Sequence, residues 1–317
     1  MYRMIGISAL LHLLVDGLCV CSLYLIASSF PVSRLVGIFL TYNVLAFLTQ
    51  PLTGLLADRM ARKHWLLLAS VLLLTMAVLA TSVVMALGTS AFGIMLVAVL
   101  LGMGNSLFHV WGGKQVAVKT NNDMRALGVF VSTGAFGLAI GFVFFSWPLL
   151  YVFLLLICLL AVGVVQEPEG SSQESEDESL ETRSWSQLFV ILAVVGLMAA
   201  VMLRSFVGEA FSSGITKSSM MVLLIGGLSM LGKMAGGWIA RWMGVWRSLA
   251  VVVAGVVLCF IFNGYYEPLL LVGIFLMNCT MPITLYLANV LLPGREGLAF
   301  GLLAAALIPG YLLAVYW

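Results

Sequence analysis

Apolar residues run along this chain in stretches of about 20, the length of a helix crossing the hydrocarbon core of a bilayer. Short clusters of charge, glycine or proline interrupt them. Eleven stretches are read, at 4–28, 34–57, 64–86, 88–113, 124–146, 148–166, 186–207, 218–241, 247–263, 268–291 and 297–317. None shows the two-residue alternation of an outer-membrane barrel strand. The pattern predicts an all-α integral membrane bundle of about eleven transmembrane helices.

Composition agrees and narrows the class. Hydrophobic residues make up 62% of the chain and charged residues only 9%, whereas a soluble domain carries roughly a quarter charged residues to face water. The solvent for most of this surface is a lipid bilayer, and no nucleic-acid partner is expected. Cys19, Cys21, Cys158, Cys259 and Cys279 all lie in apolar segments without metal-ligand spacing, as small core residues do. The first stretch is too long for a cleavable signal, and Asp16 interrupts it, so it reads as a retained helix.

Charge then orients the bundle. With the N-terminus in the cytoplasm, the inner connections carry Arg3, Arg59, Arg62, Lys63, Lys114, Lys119, Arg125, Arg183, Arg241, Arg247 and Arg295. The outer ones hold only Arg34 and Lys217, with Arg204 near the outer end of its stretch. This is the positive-inside asymmetry of a multi-pass protein of the plasma membrane, and it leaves the C-terminus on the outer side. The stretch EPEGSSQESEDESLETRS at 167–184 reads as a solvated, self-repelling linker, a hinge or a partner-binding tail. The expected organisation is a six-helix bundle over 1–166, an acidic cytoplasmic linker over 167–185 and a five-helix bundle over 186–317. GLLADRMARKH at 54–64 and GWIARWMGVWR at 237–247 close corresponding helices of the two parts. Arg125 with Gly128, Gly134, Gly137 and Gly141 has a counterpart in Arg295 with Gly297, Gly301 and Gly310. Two six-helix repeats of like orientation are one way transporters are built.

The segment Gly54-Leu55-Leu56-Ala57-Asp58-Arg59-Met60-Ala61-Arg62-Lys63 resembles the loop motif of the major facilitator superfamily, Gly-x-Leu-Ala-Asp-Arg-x-Gly-Arg-Lys, with Ala61 in place of a glycine. In the second copy Arg241 stands where the Asp would be. The resemblance implies a conformational latch on Gly54, Asp58, Arg59 and Arg62. A carboxylate there can accept hydrogen bonds from a neighbouring helix terminus and pair with a basic group. Within the superfamily the likeness is to fosmidomycin-resistance-type exporters. It rests on His12-Leu13-Leu14-Val15-Asp16-Gly17, on Thr49-Gln50-Pro51-Leu52-Thr53-Gly54, and on Gly102-Met103-Gly104-Asn105-Ser106-Leu107-Phe108-His109. That family follows the last histidine with Pro and an acidic residue, where this chain has Val110 and Trp111. Members usually have twelve helices, one more than is read here.

Polar side chains at membrane depth are the candidate chemistry, because they face a cavity or a partner. Asp16 lies mid-stretch, and His12 sits one helical turn away on the same face, a pair able to share a proton or to clamp helices together. His109 is either a further member of such a site or a structural donor. Lys233 is a candidate for an anionic substrate, for pairing with Asp16, or for snorkelling to the inner surface. Arg204 reads as a surface ion pair with Glu209, and Asn43, Gln50, Asn105, Asn278 and Asn289 as further cavity groups. The glycines of the fifth stretch are accounted for by helix packing. No nucleophile–base pair, metal-ligand cluster or phosphate-cradling loop appears outside the membrane, so an enzyme is not expected, and no cofactor or metal. Two readings remain: a proton-coupled secondary transporter of a small solute, in the direction of drug or metabolite efflux, or a non-transporting membrane receptor or assembly partner. The transporter's cavity would lie between the first, fourth, seventh and tenth helices.

Overall fold

The computed structural model describes residues 2–30, 32–60, 64–87, 91–166, 185–213, 215, 218–262 and 268–316. The acidic stretch 167–184 and Arg62 of the loop motif lie outside them. The described residues form helices and their connections, with eleven spans long and apolar enough to cross a membrane. The helices are α1 (Tyr2–Ala27), α2 (Val32–Asn43), α3 (Gln50–Arg59), α4 (Trp65–Leu87), α5 (Ala91–Lys119), α6 (Met124–Val143) and α7 (Trp147–Val165). They continue as α8 (Gln187–Ser213), α9 (Ser219–Met243), α10 (Val245–Phe262), α11 (Pro268–Leu291), α12 (Glu296–Ala305) and α13 (Leu307–Tyr316).

Two spans are broken, and proline explains both. The second span is α2, a π-helical turn at Val44–Leu48, and α3. Pro51 has no N–H to give Phe47 and its ring crowds that carbonyl, so the backbone widens just before it. Asn43, Thr49 and Gln50 then donate their side-chain hydrogens to the carbonyls of Phe39, Leu45 and Ala46. In the eleventh span Pro309 separates α12 from α13 at Ala306, and the Ser205 hydroxyl donates to the Leu307 carbonyl at 2.8 Å. Without water in the hydrocarbon, side chains must satisfy the groups that a helix break frees.

The packing repeats. In the first half α1 packs along α6, and the second span and α4 both pack against α5. Six spans later α8 packs along α13, and α9 and α10 both pack against α11. The seams are tight because glycines admit backbone. A side chain at Gly137 would strike the Leu13 carbonyl, and one at Gly141 the Gly17 carbonyl. Thr133 donates to the Ala9 carbonyl across the same seam at 2.6 Å. A spacing of four residues puts Thr133, Gly137 and Gly141 on one face of α6.

Two seams join the halves: α3 on α12, and α6 on α9. Gly54 meets the Gly297 carbonyl, Gly301 meets the Gln50 carbonyl, and Gly237 meets the Met124 carbonyl. At one end of the first seam Asp58 caps a helix that is not its own. Its Oδ1 accepts from the Gly297 N–H and its Oδ2 from the Leu298 N–H, both at 2.9 Å. These are first-turn N–H groups of α12 with no intrahelical acceptor, at the positive end of the helix dipole. Lys114 completes the tie, with Nζ 3.2 Å from Asp58 Oδ1 and donating to the Ala57 carbonyl at 2.8 Å. Arg59, expected to share in this latch, is exposed and makes no polar contact among the described residues. The expected helix end at 113 hid the true partner. The fourth span runs on to Lys119, which moves Lys114 from a connection onto α5. Beside it, Asn121 and Asn122 turn the chain at positive φ, a conformation asparagine tolerates. Asn122 Nδ2 donates to the Tyr286 carbonyl at 3.1 Å, and Asn289 Nδ2 donates to Asn122 Oδ1 at 2.8 Å, adding a second tie across the halves. Asp123 then caps α6 through the Arg125 N–H, and the Arg125 side chain bonded to it holds its carboxyl below the ordinary value.

Two outcomes follow from these seams. Gly137→Ala forces the Leu13 backbone away and should destabilise the detergent-solubilised protein by about 1–3 kcal/mol, the usual range for overpacking. Gly163→Ala, where a methyl group meets nothing within 4 Å, should leave the thermal midpoint at or above wild type. Asp58→Asn should loosen the halves at the Asp58 end. Spin labels at the exposed positions Leu56 and Arg295 should then report a new, longer distance population, and an unchanged distribution would remove Asp58 from that role.

Candidate functional site

At the centre of the first half a carboxylate lies between two imidazoles. Asp16, His12 and His109 are 7%, 5% and 7% exposed. His12 Nε2 stands 3.3 Å from Asp16 Oδ2, and His109 Nε2 stands 3.5 Å from Asp16 Oδ1. Asn105 Nδ2 donates to Asp16 Oδ1 at 2.9 Å. The spacing on α1 accounts for the first pair, since residues four apart share a helix face. Tertiary packing of α5 brings the other two residues, and Asn105 and His109 are themselves four apart.

The hydrogen bonds fix where the ring protons lie. His12 Nδ1 is 2.7 Å from the Phe130 carbonyl and His109 Nδ1 is 3.0 Å from the Asn105 carbonyl. A carbonyl oxygen only accepts, so each Nδ1 carries a hydrogen. A neutral ring in this tautomer turns a bare Nε2 lone pair toward Asp16. An ionised carboxylate would then face two lone pairs, so the arrangement is satisfied only when a proton sits between an imidazole and the carboxylate. The two rings meet edge to face at 4.5 Å between centroids, with Phe108 and Phe130 packed on His12. Gly134, expected to serve helix packing, does more: a side chain there would strike Asp16 Oδ2 and His12 Nε2, so its absence makes the space for the pair. The ligand-capable atoms of the three residues lie within 4.8 Å of one another, so they are also the group among the described residues able to hold a metal ion.

A second buried polar feature lies in the other half. Arg204 of α8 is 8% exposed, and its Nη1 donates to the Met281 Sδ of α11 at 2.6 Å. The expected surface ion pair with Glu209 is not formed. α8 continues to Ser213 rather than ending near 207, which places Arg204 inside the span instead of at its mouth. Arg204 lines a small cavity whose other walls are Val201, Thr284, Leu285, Phe300, Leu303 and Ala304, besides Met281. Lys233 of α9 is half-buried and makes no hydrogen bond or ion pair among the described residues. It does not pair with Asp16, whose oxygens face His12, His109 and Asn105.

The remaining candidates sit elsewhere. Asn43 and Gln50 serve the break in the second span, and Asn278 donates to the Ser229 hydroxyl and the Ile274 carbonyl. Asn289 belongs to the tie with Asn122. Phe300 was not legible as a site residue. Its ring packs 6.4 Å from His109 and 6.1 Å from Phe130, between centroids, while also walling the Arg204 cavity. Only the α5–α12 packing brings it there, and Gly113 leaves the room it occupies.

The architecture is shared with known proteins. The fold matches the E. coli fucose:proton symporter FucP with a TM-score of 0.71 at 12% identity, covering 100% of this chain and 90% of that one. A structure of FucP in the outward conformation gives a TM-score of 0.69 at 11% identity, covering 99% and 91%. The human organic anion transporter MFSD10 (TETRAN) gives 0.67 at 18% identity, covering 100% and 94%. No curated protein matches the sequence. The sequence itself matches the Major Facilitator Superfamily over residues 5–314. With eleven apolar spans, halves that repeat their packing, and a match along almost its whole length, the chain belongs to the Major Facilitator Superfamily.

Proposed function

We propose that this chain is a secondary active transporter that moves a small solute by alternating access, with a proton held at His12, Asp16 and His109 as the coupling ion. The observation that carries the reading is the buried carboxylate between two imidazoles whose outer nitrogens are already committed to carbonyls. Gain or loss of one proton changes the attraction among α1, α5 and α6 at the point where all three meet. Phe300 sits against His109 and belongs to α12, the helix whose N-terminus Asp58 caps. The proton site and the tie between the halves therefore share one helix. A two-state element biased from both ends is what alternating access needs.

Family membership supports transport, and one structural neighbour is a fucose:proton symporter. The charge asymmetry supports a plasma-membrane protein with a cytoplasmic N-terminus, so that the Asp58 tie closes the cytoplasmic face. The fosmidomycin-resistance-type likeness of the first, second and fourth spans supports efflux as the direction.

A thermal-shift panel of metabolites and antibiotics at pH 5.5 and 7.5 tests the reading, because a ligand that binds only the folded protein stabilises it by mass action. Any stabilising solute is then followed in proteoliposomes under an imposed pH gradient. Gradient-driven flux should occur in wild type and vanish in Asp16→Asn, with downhill exchange retained. Unchanged gradient-driven flux in Asp16→Asn would exclude this cluster as the coupling site. Absence of both stabilisation and flux across the panel would favour a receptor or assembly role.

A further inference from the structure

Among the described residues, Arg204 is a buried cation without an anion. Its guanidinium offers five N–H donors, and the protein supplies one thioether sulfur, a weak acceptor. Isolated buried charge is expensive, and proteins pair it or neutralise it. Within a membrane span such a residue faces a partner or a cavity, and Arg204 faces a cavity.

Among the described residues no carboxylate is placed against Arg204. Of the chain's 13 acidic residues, seven lie in 167–184 and Asp16 alone sits mid-span. Asp16 is already held by two histidines and Asn105, and Asp58 by α12 and Lys114. An anion entering the cavity would relieve the unpaired charge. The rest of the cavity wall defines what else that anion carries. Val201, Leu285, Phe300 and Leu303 are apolar, and Thr284, whose hydroxyl hydrogen is given to the Met281 carbonyl at 2.9 Å, leaves only acceptor capacity.

We infer that Arg204 forms the binding site for a soluble organic anion in a state where its cavity, about 10 Å³ here, is wider, with the acidic group displacing Met281 from the guanidinium and the apolar body lying against Phe300, Leu285 and Leu303. This rests on the transporter reading for its purpose, but its test is a binding measurement. A bound anion would lie one aromatic ring from His109, since Phe300 walls both sites.

The experiment uses the full chain in a neutral maltoside detergent. The probes are aliphatic and aryl carboxylates, phosphonates and sulfonates, each beside its neutral amide or alcohol. At least one acid should raise the thermal midpoint while its neutral analogue does not. Arg204→Met should abolish that shift and, by removing an unpaired buried charge, raise the midpoint of the ligand-free protein. Arg204→Lys, which keeps the charge but not the planar fork, should retain part of that shift. Failure of every acid, equal shifts from neutral analogues, or survival of the shift in Arg204→Met would overturn the site. A fall in ligand-free stability in Arg204→Met would make Arg204 structural and do the same. Stabilisation only by phosphatidylglycerol would assign Arg204 to a lipid headgroup instead of a solute. If the transporter reading alone fails, the acid binds and does not cross proteoliposomes; if this inference alone fails, solute flux persists in Arg204→Met.

Discussion

A polar group buried in a membrane bundle has no water to fall back on, so every donor, acceptor and charge must find its partner inside the protein. This constraint shapes the molecule at each scale. Where proline breaks the second span, Asn43, Thr49 and Gln50 return hydrogens to exposed carbonyls. Where α12 begins deep against α3, its free N–H groups take Asp58 from the opposite half. The same constraint makes an exception informative. Arg204, with a thioether where a carboxylate would be expected, is conspicuous because so much else is satisfied.

Contact between the halves depends on bare backbone. Gly54 with Gly297, Gly301 with Gln50 and Gly237 with Met124 approach too closely for a side chain. Such seams bring main-chain surfaces together without interlocking long side chains, which leaves the seam able to part and re-form. The strength then resides in few polar ties, at Asp58 and at Asn122. A charge-assisted cap of a partly buried helix terminus is worth up to about 2 kcal/mol, small enough for ligand or proton binding to oppose. A weak tie over a smooth seam is what a two-state device requires.

The two candidate sites divide the labour between the halves. His12, Asp16, Asn105 and His109 come from α1 and α5 and are the proposed proton site; Arg204 comes from α8 and is the proposed anion site. Phe300 stands between them. An aromatic ring that is packed against both, on the helix that Asp58 caps, gives each site a physical route to the other and to the tie between halves.

Much of this was legible in the residues themselves. The length and polarity of the apolar runs determined an all-helical membrane bundle, because lipid admits few other solutions for such a composition. The loop motif marked Asp58, and helical periodicity alone paired His12 with Asp16. Other features had no local signature. Lys114 replaced Arg59 as the partner of Asp58 because α5 outlasts its expected end at the Gly112–Gly113 pair. His109 joins Asp16 across 93 residues of sequence, and Gly134 makes room for them from a third helix. Arg204 exchanged an expected ion pair at the surface for a sulfur contact in the interior, because α8 runs on past it. Periodicity records which side chains share a face of one helix. Which faces then meet is decided by packing between helices far apart in sequence, and only the folded bundle contains that information.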